Sequence, residues 1–222
     1  MPRQARVAVA DVIYHVINRA NGRAQIFHDA NSYQHFESLL LEAKELTDMR
    51  ILSYCIMPNH WHLVLHPHTD DLLTEFMGWV TTTHVRQYRT LTNTIGHGHL
   101  YQDRYKSFPV ETNEHCHTLI RYVEQNPLRA KLTKRAEDWQ WSSLWRREYG
   151  SQKERQLLAP LPIDLPINYL QMVNELLPKP VVTNIRHSVS KGKPYGSDSW
   201  TSSMVDRFKL GHTVRGVGRP RR

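Results

Sequence analysis

Residues 50–66 read RILSYCIMPNHWHLVLH, and this stretch decides the fold. Arg50 to Met57 is rich in Ile, Leu, Tyr and Cys, as a buried strand is. Pro58-Asn59 breaks the run. His60 to His66 then resumes it, so the two segments pair as a tight antiparallel hairpin. Working outward, Asp11 to Asn18 (DVIYHVIN) is a further strand. Between it and the hairpin, Asn31 to Thr47 repeats Phe36, Leu39, Leu40 and Ala43 at the spacing of one helix face, with Asp29 or Asn31 as its cap. Beyond the hairpin, Asp71 to Arg89 is a second helix, with Leu72, Leu73, Phe76, Met77 and Val80 turned inward. Tyr105 to Val110 is a fourth strand, placed at an edge by Pro109. Glu114 to Gln125 is a third helix, stopped by Pro127. The order β-α-β-β-α-β-α gives an α+β fold, a split βαβ plan with one central antiparallel sheet and helices packed on it.

After Trp145 the pattern weakens. The expected organisation is a main domain over 1–150, a proline-rich linker with a short helix over 151–180, and a basic C-terminal extension over 181–222. Asn168 to Leu177 supplies the short helix; Ser199 to Leu210 is another, with Gly211 as its stop. DWQWSSLW reads as core tryptophans before a helix capped by Ser142 or Ser143.

The chain has 222 residues and a formal net charge of +8. Residues 179–222 hold 10 of the 29 Lys and Arg and 2 of the 21 Asp and Glu, so residues 1–178, with 19 of each, are neutral. All the excess lies at the C-terminal end, which suits an arm for phosphate backbones or a solubilising tail. Cys55 and Cys116 are the only cysteines and lack a CxxC spacing. No disulfide framework is expected, and the simplest setting is the reducing cytoplasm. No apolar run approaches a membrane span, and the N-terminus lacks the features of a signal peptide. The absence of a Walker loop argues against a nucleotide cofactor.

Four HxH pairs occur: His60/His62, His66/His68, His97/His99 and His115/His117. On a strand, residues i and i+2 point to one face, so His60 and His62 can meet one metal ion. On a helix they point roughly 200° apart, which excludes His115/His117. His97/His99 sits in a glycine loop and Pro67 interrupts His66/His68. A satisfied, partly buried pair is the equally weighted alternative for His60/His62. In the third helix Tyr122 lies beside the apolar stripe of Cys116, Leu119, Ile120 and Val123, with Asn126 one turn later. Tyrosine offers an oxygen nucleophile and asparagine a carbonyl ligand. A boundary aromatic and a helix-stop asparagine are the commoner roles for such residues.

MPNHWHLVL and LIRYVEQNPLRA, with YHVINRANGRAQIFHD, HLYQDRYKSFPVE and DWQWSSLWRREYG, resemble the HUH single-tyrosine transposases, and most nearly the REP-associated tyrosine transposases. The resemblance covers about residues 1–150. It implies an HUH nuclease-like fold, His60 and His62 as metal ligands, Asn126 as a polar third ligand, and Tyr122 as the nucleophile that forms a 5′-phosphotyrosine. It further implies a transposase that cleaves and rejoins single-stranded or hairpin DNA. Mg²⁺ is the cation the family implies; two imidazoles tilt the site toward Mn²⁺. Arg19, Arg23, Arg104, Lys106, Arg121 and Arg129 flank the proposed site, and Tyr101 and Tyr105 interleave with the bases of that middle segment, a pattern suited to a single strand. An edge strand with solvent-facing charges gives the same pattern. The terminal GVGRPRR is a generic basic end.

Three rival functions stand beside this one. They are a replication initiator or relaxase of the same chemistry, a non-catalytic DNA-binding protein of the same fold, and a metal hydrolase that uses water. Oligomeric state, monomer or homodimer, is left open.

Overall fold

The computed structural model of the chain describes residues 7–215. The N-terminal basic residues and the GVGRPRR end therefore lie outside the described residues. Four strands form one antiparallel sheet in the order β2-β3-β1-β4: β1 (Ile13–Arg19), β2 (Arg50–Met57), β3 (His60–His66) and β4 (Lys106–Val110). This is the expected α+β plan. Pro109 sits in β4 at the sheet edge, where a missing N–H breaks no ladder.

The pleat sends alternate residues to opposite faces. One face carries Tyr14, Val16, Tyr54, Ile56, Trp61, Leu63 and Leu65 into a first core. Over it lie α1 (Ala30–Thr47) and α2 (Leu72–Leu91), through Phe36, Leu40, Phe76 and Val80. Asp29 caps α1 by accepting from the Ser32 N–H at 2.9 Å. The other face carries Ile13, Cys55, Met57, Val64 and Phe108 into a second core, covered by Cys116, Leu119, Ile120 and Val123 of α3 (Glu114–Glu124). A one-residue slip of β3 would send His60 and His62 to the wrong core, so the apolar pattern itself fixes where they point.

Pro127 does not stop the third helix outright. The chain remains helical at Gln125 and continues as α4 (Asn126–Arg129), with Pro127 in its first turn. Proline is tolerated there because first-turn N–H groups have no intrahelical acceptor. After α5 (Ser143–Tyr149, capped by Ser142) and α6 (Gln152–Arg155), the segment expected to act as a linker packs instead. Leu161, Ile163 and Leu165 lie against the second core, and Tyr169, Val173 and Leu177 are buried in it. It contains α7 (Tyr169–Asn174).

A helix the sequence reading did not contain follows: α8 (Lys179–Lys191), which buries Val182 and Ile185 in the same core. Each such aliphatic burial stabilises by about 1.5–3 kcal/mol, enough to hold the helix down. Gly192 ends it in the left-handed conformation, φ 70°. Next come α9 (Asp198–Arg207) and α10 (Gly211–Val214), so Gly211 opens a helical turn where it was expected to stop one. Among the described residues no helix is long and apolar enough to cross a membrane. Both cysteines are free and buried.

Candidate active site

His60 and His62 come from β3 and point to the second face, where Tyr122 of α3 descends on them. The two imidazoles lie with centroids 5.1 Å apart, and the Tyr122 ring meets His62 edge-on at 6.0 Å. Trp61, between the histidines, points the opposite way and donates from Nε1 to the Tyr101 hydroxyl at 2.9 Å. Tyr122 is 5% exposed and, with His62, lines a cavity of about 380 Å³.

Burial, then the nearby Arg19 and Arg129 charges, lowers the His60 pKa to about 3. Burial, then His15, His60 and the same arginines, holds His62 well below its usual range. Both are therefore neutral at physiological pH, the form that ligates metals. The His60 Nδ1 is 2.6 Å from Asn59 Oδ1 and the His62 Nδ1 is 2.9 Å from His15 Nε2, while neither Nε2 is bonded to a described residue. Two adjacent, neutral, unengaged ring nitrogens fit a divalent cation of borderline hardness. Among the described residues there is no cluster of three or more His, Cys, Asp or Glu suited to a metal. The remaining ligands would have to be oxygens of another kind.

Asn126 was expected to be one of them. It lies one turn beyond Tyr122, but its Oδ1 accepts from Arg129 Nη2 at 2.9 Å and its Nδ2 donates to the Tyr122 and Val123 carbonyls. Its oxygen is committed to a guanidinium, and ligation would require sharing or exchanging that bond.

The expected DNA contacts divide. Arg129 lies with Cζ 4.1 Å from the Tyr122 ring centroid, and its Nη1 is buried without a partner. Arg19 likewise buries Nε unpartnered. Arg19, Arg104 and Lys106 line the cavity with Tyr122. Burial, then Arg23 and Arg186, lowers the Arg19 pKa, so Arg23 shares the same local field from its exposed turn. Arg121 faces elsewhere, donating to the Glu175 carbonyl at 2.6 Å. Tyr101 does not serve as an exposed platform: it is buried in the first core, between Trp61 and the His84 Nδ1 at 2.6 Å. Tyr105 is buried too. In this segment Gln102, Arg104 and Lys106 are exposed, while the aromatic phase points inward.

Two residues were missed. Arg186 of α8 lines the cavity, from a region with no recognisable motif. His15 of β1 is fully buried and hydrogen-bonded to His62. Its only sequence signal was a histidine at an inward position of an apolar strand.

A family model described as "Transposase IS200 like" matches residues 8–126. The chain belongs to the IS200-like transposase family. The matched stretch runs from the start of the sheet to Asn126, so it holds the histidine pair and Tyr122 but not Arg129 or Arg186. Among solved structures, a REP-associated tyrosine transposase bound to a REP hairpin is similar, with TM-score 0.55 and 18% identity over 75% of this chain and 93% of that one. At that identity the likeness speaks for the fold, which it supports as the α+β sheet described above. A candidate transposase from Deinococcus radiodurans R1 aligns with TM-score 0.38 and 19% identity, over 56% of this chain and 97% of that one. No curated protein matches the sequence.

Proposed function

We propose that this transposase cuts and rejoins single-stranded DNA at hairpin-forming repeats, with Tyr122 as the nucleophile. The observation that carries the reading is the convergence on Tyr122 of the His60/His62 pair and of arginines that have no carboxylate partner. Among the described residues, Arg19, Arg129 and Arg186 form no ion pair. Arg19, Arg104, Lys106 and Arg186 line the cavity against a single carboxylate, Asp103, and that excess of cations suits a ligand that brings the negative charge, as a phosphodiester backbone does.

In the proposed reaction the Tyr122 oxygen attacks the scissile phosphorus and its proton passes to water. The bond to the 3′ oxygen breaks, leaving a 5′-phosphotyrosine and a free 3′-hydroxyl. Arg129 and Arg19 face the charge that builds on the phosphoryl oxygens, where preorganised cations act most strongly. Each buries one unpartnered nitrogen, so its charge acts on an arriving phosphate from surroundings that screen it less than water does. Tyr122 is held edge-on to His62 by α3, which limits the orientations it must lose on attack. His60 and His62, with Asn126 or a phosphate oxygen, would hold Mg²⁺ or Mn²⁺, which when bound polarises the phosphate and steadies the leaving oxygen. Attack by a 3′-hydroxyl on the phosphotyrosine reverses the step with the bond count unchanged, so rejoining consumes no nucleotide. The relative solved with a REP hairpin favours a structured repeat as the target.

The test is a labelled single strand carrying a hairpin, incubated with the protein and Mg²⁺ or Mn²⁺ and run on a denaturing gel. Cleavage with protein covalently attached, lost in Tyr122→Phe, is the expected result. Cleavage that survives in Tyr122→Phe overturns the nucleophile, and tight binding with no cleavage in either cation points to a non-catalytic binding protein.

A further inference from the structure

His15 is a fully buried histidine that the chemistry above leaves unused. It lies on β1, opposite Val64 of β3 and Phe108 of β4, on the face that carries His62. Its Nε2 is 2.9 Å from His62 Nδ1, and the rings lie 5.1 Å apart at 29°. Its other nitrogen, Nδ1, is buried with no partner. The two histidines of the HxH pair are thus supported differently. His60 Nδ1 faces an amide oxygen, Asn59 Oδ1, which only accepts. That contact holds the proton on His60 Nδ1 and keeps the Nε2 lone pair free. His62 Nδ1 faces another imidazole, which can accept or donate.

We infer that His15 is a positioning residue that supports the metal-binding tautomer of His62, by accepting from His62 Nδ1–H across the 2.9 Å contact to His15 Nε2. Two arrangements of the neutral pair satisfy this contact. In one, His62 Nδ1–H donates to His15 Nε2; His62 presents a bare Nε2, and His15 carries its proton on the unpartnered Nδ1. In the other, His15 Nε2–H donates to His62 Nδ1; His62 then carries its proton on Nε2, where a cation would have to bind. Each arrangement holds one proton per ring, and exchange between them leaves the charge unchanged. A cation at His62 Nε2 selects the first arrangement. His15 thereby orients a ligand without touching the cation, as outer partners of metal-bound histidines commonly do.

The inference rests on His62 being a metal ligand, and the experiment separates the two. Mn²⁺ affinity is measured on the full-length protein by titration with electron paramagnetic detection of the free ion. His15→Phe removes the acceptor and keeps an aromatic ring; His15→Gln supplies an amide oxygen in place of Nε2; His62→Ala is the control. The expected loss in His15→Phe is about 10–100-fold, the range for removing an outer-shell partner, with affinity regained in His15→Gln. Native affinity in His15→Phe, alongside a large loss in His62→Ala, overturns the role of His15 and leaves the metal site standing. Native affinity in His62→Ala overturns the metal site and the His15 role with it.

A second measurement needs no core substitution. The imidazole ¹⁵N shifts of His15 in the unaltered protein are expected to report an Nδ1–H tautomer at saturating Mg²⁺, which leaves its Nε2 free to accept from His62. A His15 Nε2–H tautomer at saturation overturns the inference even if the variants fail to fold.

Discussion

Two residues beyond Tyr122, Glu124 carries a carboxylate into the second core with no exposed surface. Ser143 Oγ donates to it at 2.6 Å and the Tyr169 hydroxyl at 2.7 Å, while Arg147 forms an ion pair with it. The partners come from α5 and α7, so one carboxylate ties α3 to both. Removing it leaves Arg147, which is only one-fifth exposed, without a counter-charge and the buried Tyr169 hydroxyl without its acceptor. Breaking a buried pair in this way costs about 3–5 kcal/mol. Glu124→Ala is therefore expected to lower unfolding stability by about that amount in urea, while Glu124→Gln, which retains an acceptor for the hydroxyls, loses less. Equal losses for the two would show that the charge alone matters. None of this was legible in the sequence, where Glu124 reads as a surface residue of an amphipathic helix and its partners lie far along the chain. His60, His62 and Tyr122 were legible because strand and helix periods fix their directions. His15 and the Asn126–Arg129 bond were not, since each depends on which side chain arrives from another element. Tyr101 misled for the same reason: its hydroxyl is claimed by Trp61 and His84 from opposite sides.

Among the elements, α8 changes the picture of the C-terminal third. Five of its thirteen residues are β-branched, which lowers helix propensity and hides the helix from a reading by composition. The signals that were present are Pro180 in the first turn and Gly192 just past the end. The sheet and α1 to α3 were readable because their apolar periods are long and unbroken. By docking Val182 and Ile185, α8 places Arg186 against the cavity beside Arg19. The basic excess of the C-terminal region thus contributes at least one cation to the site itself. Arg186→Ala is expected to weaken binding of a labelled single strand and to reduce the slope of log affinity against log salt by about 0.7, the value for one phosphate contact on a single strand. Anisotropy titrations over a series of KCl concentrations measure it. An unchanged slope would show that Arg186 meets no phosphate, even if affinity falls.

Across the whole molecule, the two cores bury several histidines in neutral form, and this couples stability to acid. His84 of α2 packs against Phe27 and Phe36 and bonds Tyr101; burial, then His35, lowers its pKa to about 3. Burial alone lowers that of His15 to about 3 as well. In the unfolded chain both return to about 6.5. Below that value the unfolded state binds protons that the folded state refuses, so unfolding is favoured as pH falls. The contribution is fully present above about pH 6.5 and is lost progressively as the pH falls toward 3. Midway through that window each such histidine contributes a slope of about 1.4 kcal/mol per pH unit. His84→Phe isolates one of them away from the proposed metal site. The substitution forfeits a hydrogen bond and so shifts stability at every pH, but only the lost titration changes the slope. Urea unfolding in EDTA at pH values between 6 and 4 is expected to show a slope shallower by about 1.4 kcal/mol per unit in the variant. Parallel curves for the two proteins would mean that His84 is charged in the folded state, and that the first core admits water around it.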